Sequence, residues 1–511
     1  MGGETAKSVY IISDLHIGGV YGQTADSRGF RINTHVPELA EFIRTLAEND
    51  PAEKQVELII NGDSVDFLAE KEGAPPYWNP FTPDPRVACA KLQAGADRDH
   101  EFFEALRELL DKGHRLTILL GNHDIELAMP PVRQKLKEII GVQTHHDYEF
   151  IGSGEAYIVG DALIEHGNRY DSWNMVNHDS LRRVCSFLSR RQAIPVKYAF
   201  DPPAGSKMVS WVINDIKEEY KFIDLLKPET SVMVPILLAL EPGYRRILAT
   251  VAKLGLEASH HRLETAALPS IGGDIHAEGD SNAFIGGDIS TFDPMGGPPL
   301  DKEEAALAEV LNDQVEGTAE DFLQSVAPVE LRIGGDISTA TFIDRTMGLA
   351  KLLVSRDSSD VSRRLPPLLK ALRALQPDRS FDLDFEASPE YLSAAKELMD
   401  GDFHYVVFGH THQPKKIEIT PGCWYLNSGT WADLMKLPPE IITGSSEIAL
   451  AKTSQLLQDI ATNNLANWIF FNPVYVRLDL EGDRVVQADV YEYSGPASVR
   501  DGAPMKKSAS A

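Results

Sequence analysis

The sequence predicts an α/β (α+β) fold: a four-layer α-β-β-α sandwich interrupted by a mainly helical insertion. Three observations carry this expectation. Five short apolar runs each end in a cluster of Asp, His or Asn next to Gly, as buried strands do when their C-terminal ends face a common site. Between the fourth and fifth runs lie more than two hundred residues, Ser172 to about Asp400, whose periodicity is helical. Three further strand-like segments follow the fifth run and complete a second sheet.

Taken in order, SVYIISDLHIGG places the apolar run Val9 to Ile12 before Asp14 and His16 and a pair of glycines. VELIINGDSVDFL ends at Asn61-Gly62-Asp63, with Asp66 three residues on, and RLTILLGNHD ends at Gly121-Asn122-His123-Asp124. EAYIVGDALIEHGNRYD carries His166-Gly167 beyond its apolar residues. In the insertion, helices are predicted over Asn177 to Ser189, Val209 to Leu226, Val232 to Leu254, Lys302 to Val326, Ala340 to Val354 and Ser388 to Met399. HYVV then reads as a short buried strand before FGHTHQP. In extended backbone residues i and i+2 point to one face, so His410 and His412 are expected to converge. CWYLNSGTW, NWIFFNPVYVRLDLEGD and RVVQADVYEYSG read as strands, and the Ser/Ala/Lys-rich end reads as disordered. The expected domains are 1–171 and 401–495 for the two parts of the core, 172–400 for the insertion and 496–511 for the tail.

Composition narrows the function classes. At 511 residues with 43% apolar residues, the chain has the make-up of a soluble globular protein of more than one domain, or one domain with a large insertion. The most apolar stretch, VMVPILLAL, is short and interrupted by Pro235, so no membrane span is expected. Neither a signal peptide nor a myristoylation motif is read at the N-terminus, where Ala6 stands in place of the required Ser or Thr. Cys89, Cys185 and Cys423 form no close pair, so no disulfide framework is expected and the location is cytoplasmic by default. A formal charge of −27 disfavours long nucleic acids and anionic membranes as partners.

The series D-x-H, G-D-x-x-D, G-N-H-D, H-G and G-H-x-H resembles the calcineurin-like metallophosphoesterase superfamily, over roughly residues 8–171 and 401–495. The wording ISDLHIGG, NGDSVDF, GNHD and GHTHQP is most similar to the UDP-2,3-diacylglucosamine hydrolase-type branch. It is less like the Ser/Thr phosphatases, which carry Arg and Glu where Phe67 and Asp124 stand here. The resemblance implies the same four-layer sandwich and two divalent ions about 3.5–4 Å apart that clamp the attacking and leaving oxygens. Asp14, His16 and His412 would hold one ion and Asn122, His166 and His410 the other, with Asp63 bridging. The expected reaction is hydrolysis of a phosphodiester or pyrophosphate, in a small nucleotide-containing substrate, by a metal-bridging hydroxide. Ligation by His, carboxylate and amide without thiolate fits Mn²⁺, Fe²⁺ or Zn²⁺, with manganese favoured.

His123 is left over from this ligand set and is expected to protonate the leaving oxygen, oriented by Asp66 or Asp124. The bland alternative is a structural hydrogen bond beneath the site. Arg169, with Asn168, is expected to hold a phosphate oxygen, and Arg28 and Arg31 are further candidates. H-G-N departs from the H-G-D usual in the lipid hydrolases. His145-His146 and His260-His261 read as surface residues. Trp173, at the entry to the insertion, is a candidate for stacking on a base or ring. The repeated IGGDI reads as exposed Gly-Asp turns rather than a calcium or lid element. Two rival readings remain open at this point: a phosphomonoesterase, and a non-catalytic scaffold that uses the insertion as a binding surface.

Overall fold

The computed structural model describes residues 6–19, 30–51, 54–142, 147–218, 220, 223–225, 236, 365–366, 368–370, 372–373, 379, 381–462 and 464–506. The chain opens with β1 (Ala6–Ile12), α1 (Val36–Ala47), β2 (Lys54–Asn61), α2 (Pro85–Arg98), α3 (His100–Asp111) and β3 (Arg115–Leu119). It continues through α4 (Pro130–Ile140), β4 (Tyr148–Ile151), β5 (Tyr157–Val159), β6 (Ala162–Ile164) and α5 (His178–Ser189). A helical stretch follows, made of α6 (Ala204–Met208), a π turn (Val209–Ile213) and α7 (Asn214–Lys217). Later come α8 (Pro389–Met399), β7 (Tyr405–Phe408), β8 (Lys415–Thr420), β9 (Cys423–Asn427) and β10 (Asp433–Met435). The chain closes with α9 (Pro439–Ile442), α10 (Ser446–Ala461), β11 (Ile469–Phe471), β12 (Val474–Glu481), β13 (Arg484–Glu492) and α11 (Pro496–Asp501).

Two sheets form, in the orders β13-β12-β1-β2-β3-β4 and β5-β6-β7-β9-β8. Their alternation explains the layers. On β1, Val9 and Ile11 join Ile59, Leu119, Ile164, Val407 and Leu426 in the core between the sheets. Tyr10 and Ile12 point the other way and pack with Leu58, Ile60 and Ile118 under α1, α3 and α4. On the second sheet, Val406, Phe408 and Tyr425 face Tyr391, Ala394 and Ala395 of α8. The expected four layers are present. β1 to β4 run parallel, as do β6, β7 and β9, so both sheets present strand C-termini at one edge.

Several expectations are corrected by packing. β12 and β13 complete the first sheet rather than the second, because β12 pairs antiparallel with β1. Ile469 to Phe471 pair only with β10, in a small separate ribbon. α9 and α10, which were not expected, pack their apolar residues against Met208, Val212, Ile213 and Ile216. α5 behaves as part of the core, since Val176, Leu181, Val184 and Phe200 join the cluster under α4. The tail is ordered through residue 506: Val499 inserts into that cluster, and the Met505 N–H donates to the Val490 carbonyl at 2.9 Å. The helices expected over Val232 to Leu254, Lys302 to Val326 and Ala340 to Val354, the IGGDI repeats, His145-His146 and His260-His261 lie outside the described residues.

Candidate functional site

The loops after β1, β2, β3, β6 and β7 meet at the shared edge and are tied by backbone hydrogen bonds. The Leu15 and His16 N–H groups both donate to the Asp63 carbonyl at 2.9 Å, and the Phe67 N–H donates to the His123 carbonyl at 3.1 Å. Between the sheets, the His410 N–H donates to Asp14 Oδ2 at 2.9 Å. Close approach dictates two of the motif glycines. A Cβ on Gly121 would stand 2.1 Å from Asp63 Oδ1, and one on Gly409 would stand 2.8 Å from Asp14 Oδ2.

Asp14 (φ 53°), His16 (φ 46°), Asp63 (φ 50°), His410 (φ 68°) and His412 (φ 59°) all occupy the left-handed region. Such backbone costs about 1–3 kcal/mol per residue and persists where the surroundings over-determine it. The G-H-T-H loop is therefore not extended, and His410 and His412 belong to different clusters. Asp14, His16 and His412 form one group, Asp63, His166 and His410 a second, and His16, Asp66 and His123 a third, each with candidate ligand atoms within 4.8 Å of one another.

In the first group, His16 Nε2 and His412 Nε2 are 3.2 Å apart, and His412 Nε2 is 3.3 Å from Asp14 Oδ1. In the second, His166 Nε2 stands 3.2 Å from Asp63 Oδ2 without hydrogen-bond alignment. His166 Nδ1 donates to the Asn61 carbonyl at 2.7 Å, which leaves the Nε2 lone pair for the site. Asp14 Oδ1, His16 Nδ1, Asn122 Oδ1 and His166 Nε2 are all buried without a hydrogen-bond partner. Lone-pair atoms are normally paired when buried. A nest of them from carboxylate, imidazole and amide fits one or more divalent cations.

The electrostatics agree. Burial would raise the Asp63 carboxyl, but His166 and His123 hold it well below the usual carboxylate range. Burial pulls His166 down, yet Asp63 and Asp14 push it up to about 10. His123 is likewise pulled down by burial and pushed up to about 9 by Asp66 and Asp63. A cation would compete with the protons these carboxylates draw onto the imidazoles.

Of the expected catalytic carboxylates, Asp66 faces His123: its Oδ1 is 3.2 Å from His123 Nδ1 and also caps the Leu68 and Ala69 N–H groups. Asp124 does not orient His123. Its oxygens accept from the Gly121 N–H at 2.7 Å and from the Ser64 N–H and hydroxyl at 2.8 Å, so it clamps the two motif turns together. Burial, followed by the Asp63 charge, pushes its carboxyl up to about 6.

Three of the residues expected to bind phosphate are tied to neighbouring groups. Arg169 donates to the Gly154 carbonyl at 2.5 Å and lies 3.4 Å from Glu165. Asn168 donates to the Asn174 carbonyl at 2.9 Å, and Arg31 is paired with Asp99. These are internal ties, made because each side chain finds a nearer partner than the site. Arg28 lies outside the described residues. Trp173 is half-buried and packs with the apolar residues of the π turn and α10.

One residue escaped sequence reasoning. Asp171 Oδ2 stands 3.1 Å from His410 Nε2 and accepts from Asn174 Nδ2 at 2.7 Å. Burial would raise its carboxyl, but His410 holds it low. The signal was present in H-G-N-R-Y-D, yet nothing in its spacing pairs Asp171 with a histidine 239 residues away.

Among known families, the chain matches the model for calcineurin-like phosphoesterase over residues 7–198. Among curated proteins, none matches it. The G-H-T-H loop lies beyond the matched residues, and the fold brings it to the same site.

Proposed function

We propose that this chain, a metal-dependent phosphoester hydrolase by its calcineurin-like phosphoesterase match over residues 7–198, is a binuclear enzyme that cleaves a nucleotide-containing phosphodiester or pyrophosphate. Asp14, His16 and His412 would hold one divalent ion, Asn122, His166 and His410 the other, and Asp63 would be shared. Bound ions would supply positive charge to polarise the phosphoryl group and lower the pKa of water. The imidazole, carboxylate and amide donors fit Mn²⁺, Fe²⁺ or Zn²⁺, and manganese is the ion proposed. The observation that carries the reading is the pair of buried Asp/His groups in which Asp14 Oδ1, His16 Nδ1 and His166 Nε2, with Asn122 Oδ1 beside them, lack partners.

This chain's own residues supply the rest. Asp66 engages His123 at Nδ1, which leaves Nε2 to give a proton to the departing oxygen. Asp171 orients His410 as carboxylates orient metal-ligating imidazoles elsewhere. The wording ISDLHIGG, NGDSVDF, GNHD and GHTHQP supports a relationship to the UDP-2,3-diacylglucosamine hydrolase-type branch. The insertion expected over residues 172–400 would select the substrate. Three unpaired cysteines fit a reducing, cytoplasmic setting.

The test is metal analysis of protein reconstituted with Mn²⁺, Fe²⁺ or Zn²⁺, with turnover on bis(p-nitrophenyl) phosphate, p-nitrophenyl phosphate and UDP-glucose. Two ions per chain and faster diester or pyrophosphate cleavage are expected. A single ion would overturn the binuclear reading. Faster monoester turnover would turn the assignment to a phosphomonoesterase, and inactivity with full metal content would leave the scaffold.

A further inference from the structure

The stretch α6–π turn–α7 has two buried faces of opposite character. Met208, Val212, Ile213 and Ile216 pack into the apolar cluster with α9 and α10. Ser206, Ser210 and Asn214, four residues apart, are 1%, 3% and 0% exposed. Ser206 Oγ, Ser210 Oγ and Asn214 Oδ1 all lack a hydrogen-bond partner. Three consecutive orphans on one helix run against the rule that buried polar groups are paired.

The π turn is what aligns them. A four-residue step over-rotates in an α-helix of 3.6 residues per turn, whereas in the wider π turn it under-rotates, so the two deviations offset. Single π turns are rare and frequent at functional sites.

Both ends of the stripe are tied to residues that neighbour the candidate site. At its start, the Gly205 N–H donates to the Trp173 carbonyl at 2.7 Å, and Gly205 lies so close to Asn174 that a Cβ would meet Asn174 Oδ1 at 2.1 Å. Asn174 Oδ1 is in turn 3.5 Å from Asn122 Nδ2. At its end, Asn214 Nδ2 donates to the Leu68 carbonyl at 2.8 Å, two residues past Asp66, the partner of His123. The stretch that carries the stripe is therefore tied at one end to the segment beside Asn122 and at the other to the turn that follows Asp66.

We propose that Ser206, Ser210 and Asn214 form the specificity stripe for the leaving portion of the substrate, and that this portion is hydroxylated, as in a sugar or nucleoside phosphate, rather than an acyl or alkyl chain. The inference rests on the phosphoesterase reading above and adds its substrate class. Two hydroxyls can donate or accept, and Asn214 Oδ1, an amide carbonyl oxygen, can only accept. A substrate hydroxyl satisfies each of them. A hydrocarbon would leave all three buried and unpaired, which is the kind of mismatch that discriminates most strongly between substrates.

The test uses full-length, metal-loaded protein and calorimetric titration with inorganic phosphate, ribose 5-phosphate and hexyl phosphate, on the parent and on Ser206→Ala/Ser210→Ala. The parent should bind ribose 5-phosphate at least about tenfold more tightly than hexyl phosphate, and the double variant should lose about tenfold of that preference. Thermal unfolding without ligand gives a second readout. Removing orphaned hydroxyls should raise the midpoint of the variant by about 2 °C or more. Equal affinity of the parent for the two esters, or an unchanged preference in the variant, would overturn the stripe while leaving the phosphoesterase reading intact. A lowered midpoint would do the same, because it would show the hydroxyls to be structural. Failure of inorganic phosphate and both esters to bind would instead strike the phosphoesterase reading itself.

Discussion

At the scale of single residues, His123 and Asp171 play different parts that different measurements separate. His123 is held by Asp66 and is half-buried at the site. If it gives a proton to the leaving oxygen, its loss matters most where that oxygen departs as a poor leaving group. His123→Ala should lower turnover of alkyl phosphodiesters by about 10²–10⁴-fold, with a much smaller loss on nitrophenyl esters and unchanged metal content. A uniform loss across leaving groups, with reduced metal content, would make it a structural residue or a ligand. Asp171 is a positioning residue that acts through His410. Asp171→Asn should weaken the second metal site by about 10–100-fold in a metal titration, whereas the Asp14–His16–His412 site should keep its affinity. Unchanged affinity at both sites would show the Asp171–His410 pair to be incidental.

At the scale of elements, a buried polar cluster ties the loop before α2 to the short helical turn that follows the third motif. Glu126 accepts from the Thr82 N–H at 2.7 Å, and Lys91 Nζ reaches Thr82 Oγ1 and Glu72 Oε2, both at 2.8 Å. Burial pushes the Glu126 carboxyl up from 4.5 to about 7, against the opposing charge of Lys91 and with Glu72 adding to the rise. The folded state thus binds a proton that the unfolded chain releases earlier. The stabilisation is complete below about pH 4.5 and is lost as pH rises through about 7, at up to about 1.4 kcal/mol per pH unit. Glu126→Gln keeps an acceptor for Thr82 and removes the titration. Its thermal midpoint should match the parent near pH 4.5 and exceed it by several degrees at pH 8. A gap that stays constant across that range would show that Glu126 is not the titrating group.

At the scale of the whole molecule, the first sheet is closed by strands from the far end of the chain, and α11 seals the helical layer behind it. Val499 is buried in that layer, and the Met505 N–H is bonded to β13. Truncation after Gly495 should therefore be felt. Exposing the pocket of one valine costs about 1.5–3 kcal/mol, or a midpoint lowered by roughly 3–10 °C in thermal unfolding. A truncated protein as stable as the parent would return the tail to the disordered segment its composition suggests.

The sequence by itself determined the fold class and which side chains could gather, because strand period, glycine punctuation and donor type are local properties. Val9 to Ile12 before Asp14 and His16 is legible without a structure, as is the G-N-H-D turn after β3. Tertiary structure decided how close those residues come. His410 and His412 sit in left-handed backbone and in different clusters, and Asp171 meets His410 only because β6 and β7 lie side by side. It also decided the partners of the arginines. Arg31 pairs with Asp99, and Arg169 with Gly154 and Glu165, because a guanidinium's partner depends on which acceptor the fold brings within reach. The orphaned stripe of Ser206, Ser210 and Asn214 was invisible for the same reason. Serine and asparagine at four-residue spacing look like a solvated helix face until packing buries them without partners.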